Sequence, residues 1–350
     1  MKCPATIIAL LLVQSVAVAL ARTGETLYPI NEGGLRAANH RATTTRRALK
    51  GSEYETKRNS LRALNKGMPN KNPDPTTPAP PTNTEIEISA TYKTSDMDKA
   101  LDICGYKPAT GGGPLPLFVY VTGTRMNPCN DDDAKITLEA AKKGFVAISV
   151  DYGTRRKYPF SCDTLKTSVR QIFGAESGSA INSIASSIGN VDLTSIVVMG
   201  FSQGANIASL SKNNGLGSPN VKAAFLIGNG YENWGATCYN KGNVDLSSSE
   251  IRSAVGQYDS IFQNGGGPDE NRAQMETTTG VSCDSALTCI DPGGGGWYLV
   301  QGSETASGRD GHCFHYLSGC GGTFDSNFVA TGNEWTLPNS LDWLAGKVGV

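Results

Sequence analysis

The chain has 350 residues, 39% of them hydrophobic and 18% charged, which is ample apolar material for a packed core and excludes a wholly disordered chain. Lys and Arg number 31 against 32 Asp and Glu, a net charge of −1, so no chain-wide basic field exists to hold a phosphate backbone and nucleic acid is not an expected partner. High glycine (41 residues) and low aromatic content (7%) favour a turn-rich globular protein over a coiled coil or a transmembrane bundle.

At the N-terminus, Lys2 precedes an apolar run from Ile7 to Val18, and Ala19, Leu20 and Ala21 supply small residues at both specificity positions of a cleavage site. The run is too short for a membrane span, which needs about 20 apolar residues. Residues 1–21 therefore read as a signal peptide, and a secreted, extracellular product without stable membrane insertion is expected. Removing Cys3 with the signal leaves eight cysteines, an even number that predicts disulfides in an exported chain. Zinc is disfavoured because there is no Cys-x-x-Cys pair and only three His. The short loops Cys283 to Cys289 and Cys313 to Cys320 are the expected pairings; the connectivity of Cys104, Cys129, Cys162 and Cys238 stays open.

Residues 22–66 carry ten Lys or Arg against four Glu and few large apolar side chains, so they cannot bury enough surface to offset chain entropy and read as a basic disordered leader. Within it, Arg47, Ala48, Leu49 and Lys50, followed by Glu53 and Glu55, resemble the RxLR-type leader of secreted effectors, departing from it at the fourth position. A propeptide or plain spacer is the preferred reading of this segment. Residues 67–83 hold six prolines with Thr and Asn, a semi-rigid linker. The globular domain is expected over 84–350. Lys2 and the leader contribute +7 and Lys71 cancels Asp74, so the whole-chain charge of −1 leaves −8 for that domain.

From Thr84 onward strands and helices alternate, the pattern of an α/β fold built on a mostly parallel sheet. Residues 85–88 alternate at period two, as an edge strand does. Residues 115–121 and 145–150 read as buried strands, with a helix over 134–143 between them that stops at Gly144. Helices are expected at 165–173 and 180–188, a strand at 195–199, a helix at 205–211 and a strand at 221–227. Shorter strands follow at 251–255 and 297–300, and a closing helix at 340–348. Residues 229–249 lack periodicity and read as a small cap; Tyr231 and Trp234 within it read as locally packed aromatics rather than substrate contacts.

Gly200, Phe201, Ser202, Gln203 and Gly204 fit Gly-x-Ser-x-Gly, in which a serine is held on a strained strand-to-helix turn. The apolar run Ile196 to Met199 before it and the small residues Ala205 to Ala208 after it provide the strand and the helix that the motif requires. The chain here resembles the α/β-hydrolase family, and the Gly-Phe-Ser-Gln-Gly wording is similar to its secreted esterase, cutinase-like and small carboxylesterase members. The resemblance covers roughly residues 110–345.

It implies a Ser-Asp-His triad in the chain order serine, acid, histidine. Only His312 and His315 lie downstream of the serine. His312, in a loop after the 297–300 strand where this family places its base, is preferred, with His315 as the competitor. Asp259, beyond a short strand and a glycine turn, is the expected acid, with Asp284 and Asp291 as alternatives. The oxyanion hole is expected from the backbone amides of Gln203 and of Thr124, the latter in a Thr-Gly-Thr turn where the family usually shows His-Gly.

No cofactor and no metal are expected. The resemblance implies an esterase, lipase or cutinase-like serine hydrolase whose ester substrate is a lipid, a polyester or an acylated polysaccharide. A non-catalytic secreted effector and a carbohydrate-binding protein on the same scaffold are the rival readings. Oligomeric state is not legible. Two dependences follow: hydrolysis should decline in acid, because a protonated His312 cannot accept the serine proton, and full reduction of the cysteines should impair activity.

Overall fold

In a computed structural model, the described residues are 84–110, 112–124, 126–153, 161–230, 238, 241–261, 266–284 and 287–350. The signal peptide, leader and linker, and Tyr231 and Trp234, lie outside them. Among the described residues the strands are β1 (Glu85–Tyr92), β2 (Leu101–Pro108), β3 (Leu115–Val121), β4 (Val146–Val150), β5 (Val191–Phe201), β6 (Val221–Ile227), β7 (Ile251–Gly256), β8 (Thr288–Ile290) and β9 (Gly296–Val300). The α-helices are α1 (Asp131–Lys142), α2 (Cys162–Phe173), α3 (Ala180–Ile188), α4 (Gln203–Ser209), α5 (Pro268–Thr279), α6 (Ser326–Val329) and α7 (Leu337–Gly346).

The strands form one sheet in the order β1-β2-β4-β3-β5-β6-β7-β9-β8. Pairing is parallel from β4 through β3, β5, β6 and β7 to β9, and antiparallel where β1 meets β2, β2 meets β4 and β8 meets β9. The central strands are apolar at nearly every position because both faces are covered. Along β3, Leu117, Val119 and Val121 face a layer containing Leu165 and Ile172 of α2, Ile181 and Ile184 of α3, and Ile207 of α4. Phe118 and Tyr120 face the other layer, with Ile136 and Ala140 of α1 and Leu341 and Leu344 of α7. The result is a three-layer sandwich, with the mostly parallel sheet of an α/β fold that the alternating pattern predicts.

Several boundaries differ from expectation for identifiable reasons. Helix α1 starts a turn earlier because the Asn130 side chain accepts hydrogen bonds from the amides of Asp132 at 2.8 Å and Asp133 at 2.9 Å. The acidic side chains Asp131 to Asp133 then sit at the positive end of the helix dipole. Helix α2 likewise starts at Cys162, capped by Ser161, whose hydroxyl accepts from the Thr164 amide at 3.3 Å. Helix α7 begins at Leu337, with Pro338 in the first turn where its missing N–H costs nothing. Strand β5 extends back to Val191, and β2, β8, α5 and α6 have no counterpart in the predicted elements.

Four disulfides join Cys104 to Cys129, Cys162 to Cys238, Cys283 to Cys289 and Cys313 to Cys320. The two short loops are paired as expected. The other two bonds tie β2 to the segment before α1, and the start of α2 to the segment after β6. Among the described residues no helix is long and apolar enough to cross a membrane.

The register brings the C-terminal ends of five strands level. Val121 pairs with Gly200, Phe201 with Ile227, Ile227 with Ala254, and Gly256 with Val300. Strand β3 lies between β4 and β5, so the chain leaves β3 to one side and returns to the other. The loops after β3 and β5 therefore flank a topological switch point, where open α/β sheets form a crevice.

Candidate active site

Ser202 occupies the turn between β5 and α4 with φ 56° and ψ −121°, a region that a non-glycine residue enters only when its surroundings impose it. The imposition is visible in the backbone. The Ser202 amide donates to the Ile227 carbonyl at 2.8 Å, and the Ser202 carbonyl accepts from the amides of Ala205 at 3.0 Å and Asn206 at 3.3 Å. The two motif glycines permit this geometry through close approach. A Cβ on Gly200 would lie 2.3 Å from the Gly204 carbonyl oxygen, and one on Gly204 would lie 2.0 Å from that of Val121.

The strain, on the order of 1–3 kcal/mol for such a residue, is outweighed by the packing of β5 and α4 around it, where each large apolar side chain contributes about 1.5–3 kcal/mol on burial. It leaves the serine hydroxyl at the C-terminal edge of the sheet, facing the loop that follows β9.

His312 comes from that loop. Its Nε2 lies 2.9 Å from the Ser202 hydroxyl oxygen, and its Nδ1 lies 2.8 Å from Asp259 Oδ2. Asp259 follows β7 in a tight turn closed by its own amide donating to the Gly256 carbonyl at 3.0 Å. The carboxyl group is 2% exposed, and its Oδ1 accepts from the Ile261 amide at 3.0 Å. Three segments well separated in sequence thus deliver a hydroxyl, an imidazole and a carboxylate in one hydrogen-bonded line.

Of the support around this line, only the Cys313–Cys320 bond was legible in the sequence. Asn271, buried on α5, donates through Nδ2 to the carbonyls of Gly256 at 3.2 Å and Gln257 at 3.0 Å, which holds the acid turn. The ring of Phe201 lies 5.1 Å from that of His312, limiting its sideways movement. The Cys313–Cys320 bond follows directly and closes the loop.

His315 sits elsewhere. Its ring is 1% exposed and packs against Phe201, Phe314, Tyr316, Phe324 and Phe328, and neither ring nitrogen has a hydrogen-bond partner among the described residues. Burial, aided by His312, pushes its pKa well below the usual imidazole value, so this ring stays neutral. Of the alternative acids, Asp291 turns the β8–β9 hairpin, accepting from the Gly295 amide at 2.9 Å, and Asp284 is exposed.

Gln203 is the first residue of α4, so its amide precedes the intrahelical ladder and is available to a ligand at Ser202. Its side chain is fixed by Thr124, whose hydroxyl donates to Gln203 Oε1 at 2.9 Å. Thr124, in the loop after β3, therefore lies beside the residue that follows Ser202. The side-chain link between the two residues had no sequence signal, since it joins positions 79 residues apart. Among the described residues no cluster of three or more His, Cys, Asp or Glu could hold a metal ion.

Strand order, parallel core and the strained serine turn between β5 and α4 together give an α/β-hydrolase architecture. Solved structures with a similar fold include one from a study of two fungal esterases of Rhizomucor miehei, at 14% identity over 76% of this chain and 84% of that chain, with a TM-score of 0.46. Others are a protein described as a dienelactone hydrolase from Klebsiella pneumoniae (16% identity, 55% and 80% coverage, TM-score 0.36) and a thermostable esterase from Pseudomonas putida (16%, 57% and 72%, TM-score 0.39). No protein-family model and no curated protein matches the sequence.

Proposed function

We propose that the chain is a secreted serine hydrolase that cleaves carboxylic ester bonds through an acyl-enzyme on Ser202. The observation that carries this reading is the continuous hydrogen-bonded line from the Ser202 hydroxyl through His312 to the buried Asp259. His312 Nε2 accepts the hydroxyl proton as the serine oxygen attacks the ester carbonyl carbon. Asp259 accepts a hydrogen bond from Nδ1–H, fixing the tautomer and stabilising the imidazolium. The oxyanion that forms is bound by the backbone amides of Gln203 and Thr124. The carbonyl re-forms, the alkoxide leaves, and His312 returns the proton to it, releasing an alcohol. Water, deprotonated by the same ring, then attacks the acyl-serine and releases the acid.

Export fits the same reading. Residues 1–21 have signal-peptide character, and all eight remaining cysteines are joined in four disulfides, bonds that persist in oxidising compartments.

The test is active-site titration with a fluorophosphonate, together with hydrolysis of p-nitrophenyl acetate. Wild-type protein should label stoichiometrically and turn the ester over, while Ser202→Ala should fail to label and lose at least about 10⁴-fold in kcat. A wild-type chain that neither labels nor hydrolyses would instead be a binding protein on a hydrolase scaffold.

A further inference from the structure

A cleft of about 470 Å³ reaches the nucleophile turn at Gln203. Its walls are the turn between β1 and β2, the segments after β3 and β4, and one side of α2. The volume is within the range of roughly 300–1,000 Å³ typical of small-molecule sites, but the lining is atypical, since such sites are predominantly apolar. Only Met97, Leu101, Pro128 and Gly153 among its described lining residues lack a polar side chain. The charge is one-sided: Asp96, Asp98, Asp102 and Asp151 face it against the single Lys99.

Two of these carboxylates are held in place by protein donors. Asp96 accepts from the Thr94 hydroxyl and from Gln171 Nε2 at 3.3 Å, which bridges the β1–β2 turn to α2. Asp151 Oδ1 accepts from the Gly153 amide at 2.7 Å. The Thr94 hydrogen bond also holds the Asp96 carboxyl below the usual carboxylate range, so it is ionised at neutral pH. A carboxylate offers about four lone-pair sites, so each retains acceptor capacity toward the cleft.

An acyl chain is stabilised only where it displaces water from apolar surface, and this lining offers little of that. An anionic ligand would be repelled by the carboxylates. A polyol without charge meets acceptors for its hydroxyl hydrogens in the aspartates, and further polar groups in Gln171 and Thr167.

We infer that this cleft binds the sugar of an uncharged O-acylated saccharide and so sets the substrate class of the reaction proposed above, on which the inference rests. The position of Gln203, shared by the cleft wall and the oxyanion site, places a bound sugar next to the scissile ester.

The experiment compares esters with one acyl group and different alcohols: p-nitrophenyl acetate, butyl acetate, an acetylated xylo-oligosaccharide and an acetylated oligogalacturonide. The xylo-oligosaccharide should exceed butyl acetate at least about tenfold in kcat/KM and should also exceed the anionic oligogalacturonide. Asp98 and Asp102 are exposed, so the double variant Asp98→Lys/Asp102→Lys should fold. It should lower the ratio of xylo-oligosaccharide to p-nitrophenyl acetate turnover at least fivefold, whereas Glu87→Lys, an exposed site outside the cleft, should leave that ratio unchanged. If p-nitrophenyl acetate is hydrolysed but butyl acetate matches or beats the saccharide, or the ratio survives the double variant, the inference is overturned and the proposed reaction stands. If wild-type protein neither labels with fluorophosphonate nor hydrolyses p-nitrophenyl acetate, both fall.

Discussion

The backbone amide of Tyr258 donates to the carbonyl of Asp310 at 2.9 Å, joining the residue before Asp259 to a residue two positions before His312. Beside it, Gln257 Nε2 donates to Asp310 Oδ2 at 2.8 Å. The turn carrying Asp259 and the loop carrying His312 are therefore fastened to each other just upstream of those two side chains. Replacing Asp310 with Ala removes the side-chain bond and keeps the backbone one. We expect kcat to fall about fivefold, corresponding to about 1 kcal/mol, with KM unchanged; steady-state kinetics on p-nitrophenyl acetate checks this. A change confined to KM would mean that Asp310 acts on substrate instead.

The Thr124–Gln203 contact makes a second prediction. Thr124→Val keeps the backbone amide and removes the hydroxyl that fixes the Gln203 side chain. A fall in kcat/KM of about fivefold is expected, much smaller than for Ser202→Ala, and Thr124→Ser should restore most of it.

The two downstream histidines should separate cleanly under mutation. His312→Ala should abolish turnover. His315→Leu removes two buried ring nitrogens that have no partner, and should leave activity within about threefold while keeping or raising stability by about 1 kcal/mol, read as the midpoint of thermal unfolding. Loss of turnover in His315→Leu with an unchanged midpoint would assign it a part in the chemistry.

Asp133 predicts a pH effect on stability. It is 1% exposed, accepts from the Cys129 amide at 3.0 Å and from the Ser149 hydroxyl, and leaves Oδ1 without a partner among the described residues. Burial raises its pKa to about 6, partly opposed by the Ser149 and Cys129 hydrogen bonds and reinforced by Asp132. Because the folded pKa lies above the unfolded one, its contribution is complete in acid below about pH 4 and is lost as pH rises through about 6. Urea unfolding at pH 4 and pH 7 should show wild type losing on the order of 3 kcal/mol relative to Asp133→Asn over that interval. Parallel pH profiles for the two proteins would show that Asp133 is not the group responsible.

Legibility in the sequence followed burial chemistry. Strands β3 and β6 are buried on both faces, and their apolar runs marked both ends to the residue. Helix α5 escaped notice because the side chains it buries include Asn271, Gln274, Thr278 and Thr279, which give no apolar stripe; the first three are inside because they hydrogen-bond segments near the site, and Thr279 donates to the Met275 carbonyl of its own helix. Strand β2 was hidden by Cys104 and Gly105, which interrupt its alternation where a disulfide and a close approach to β4 replace packing. At the site, the serine turn was visible because it is a local motif. Asp259 and His312, which hydrogen bonds join to Ser202, were expected from the family resemblance and its chain order, but the side chains near them, Asn271 and Asp310, act across distances in sequence that no local pattern records.

Ser202 keeps its backbone in a conformation that an isolated peptide of the same sequence would abandon. The proposed nucleophile is therefore an emergent property of the finished sheet. Its partners arrive on two further crossovers, so opening any one of three separate segments extinguishes it. The proposed catalysis would have no partially assembled version, and thermal inactivation curves should superimpose on loss of the whole tertiary structure.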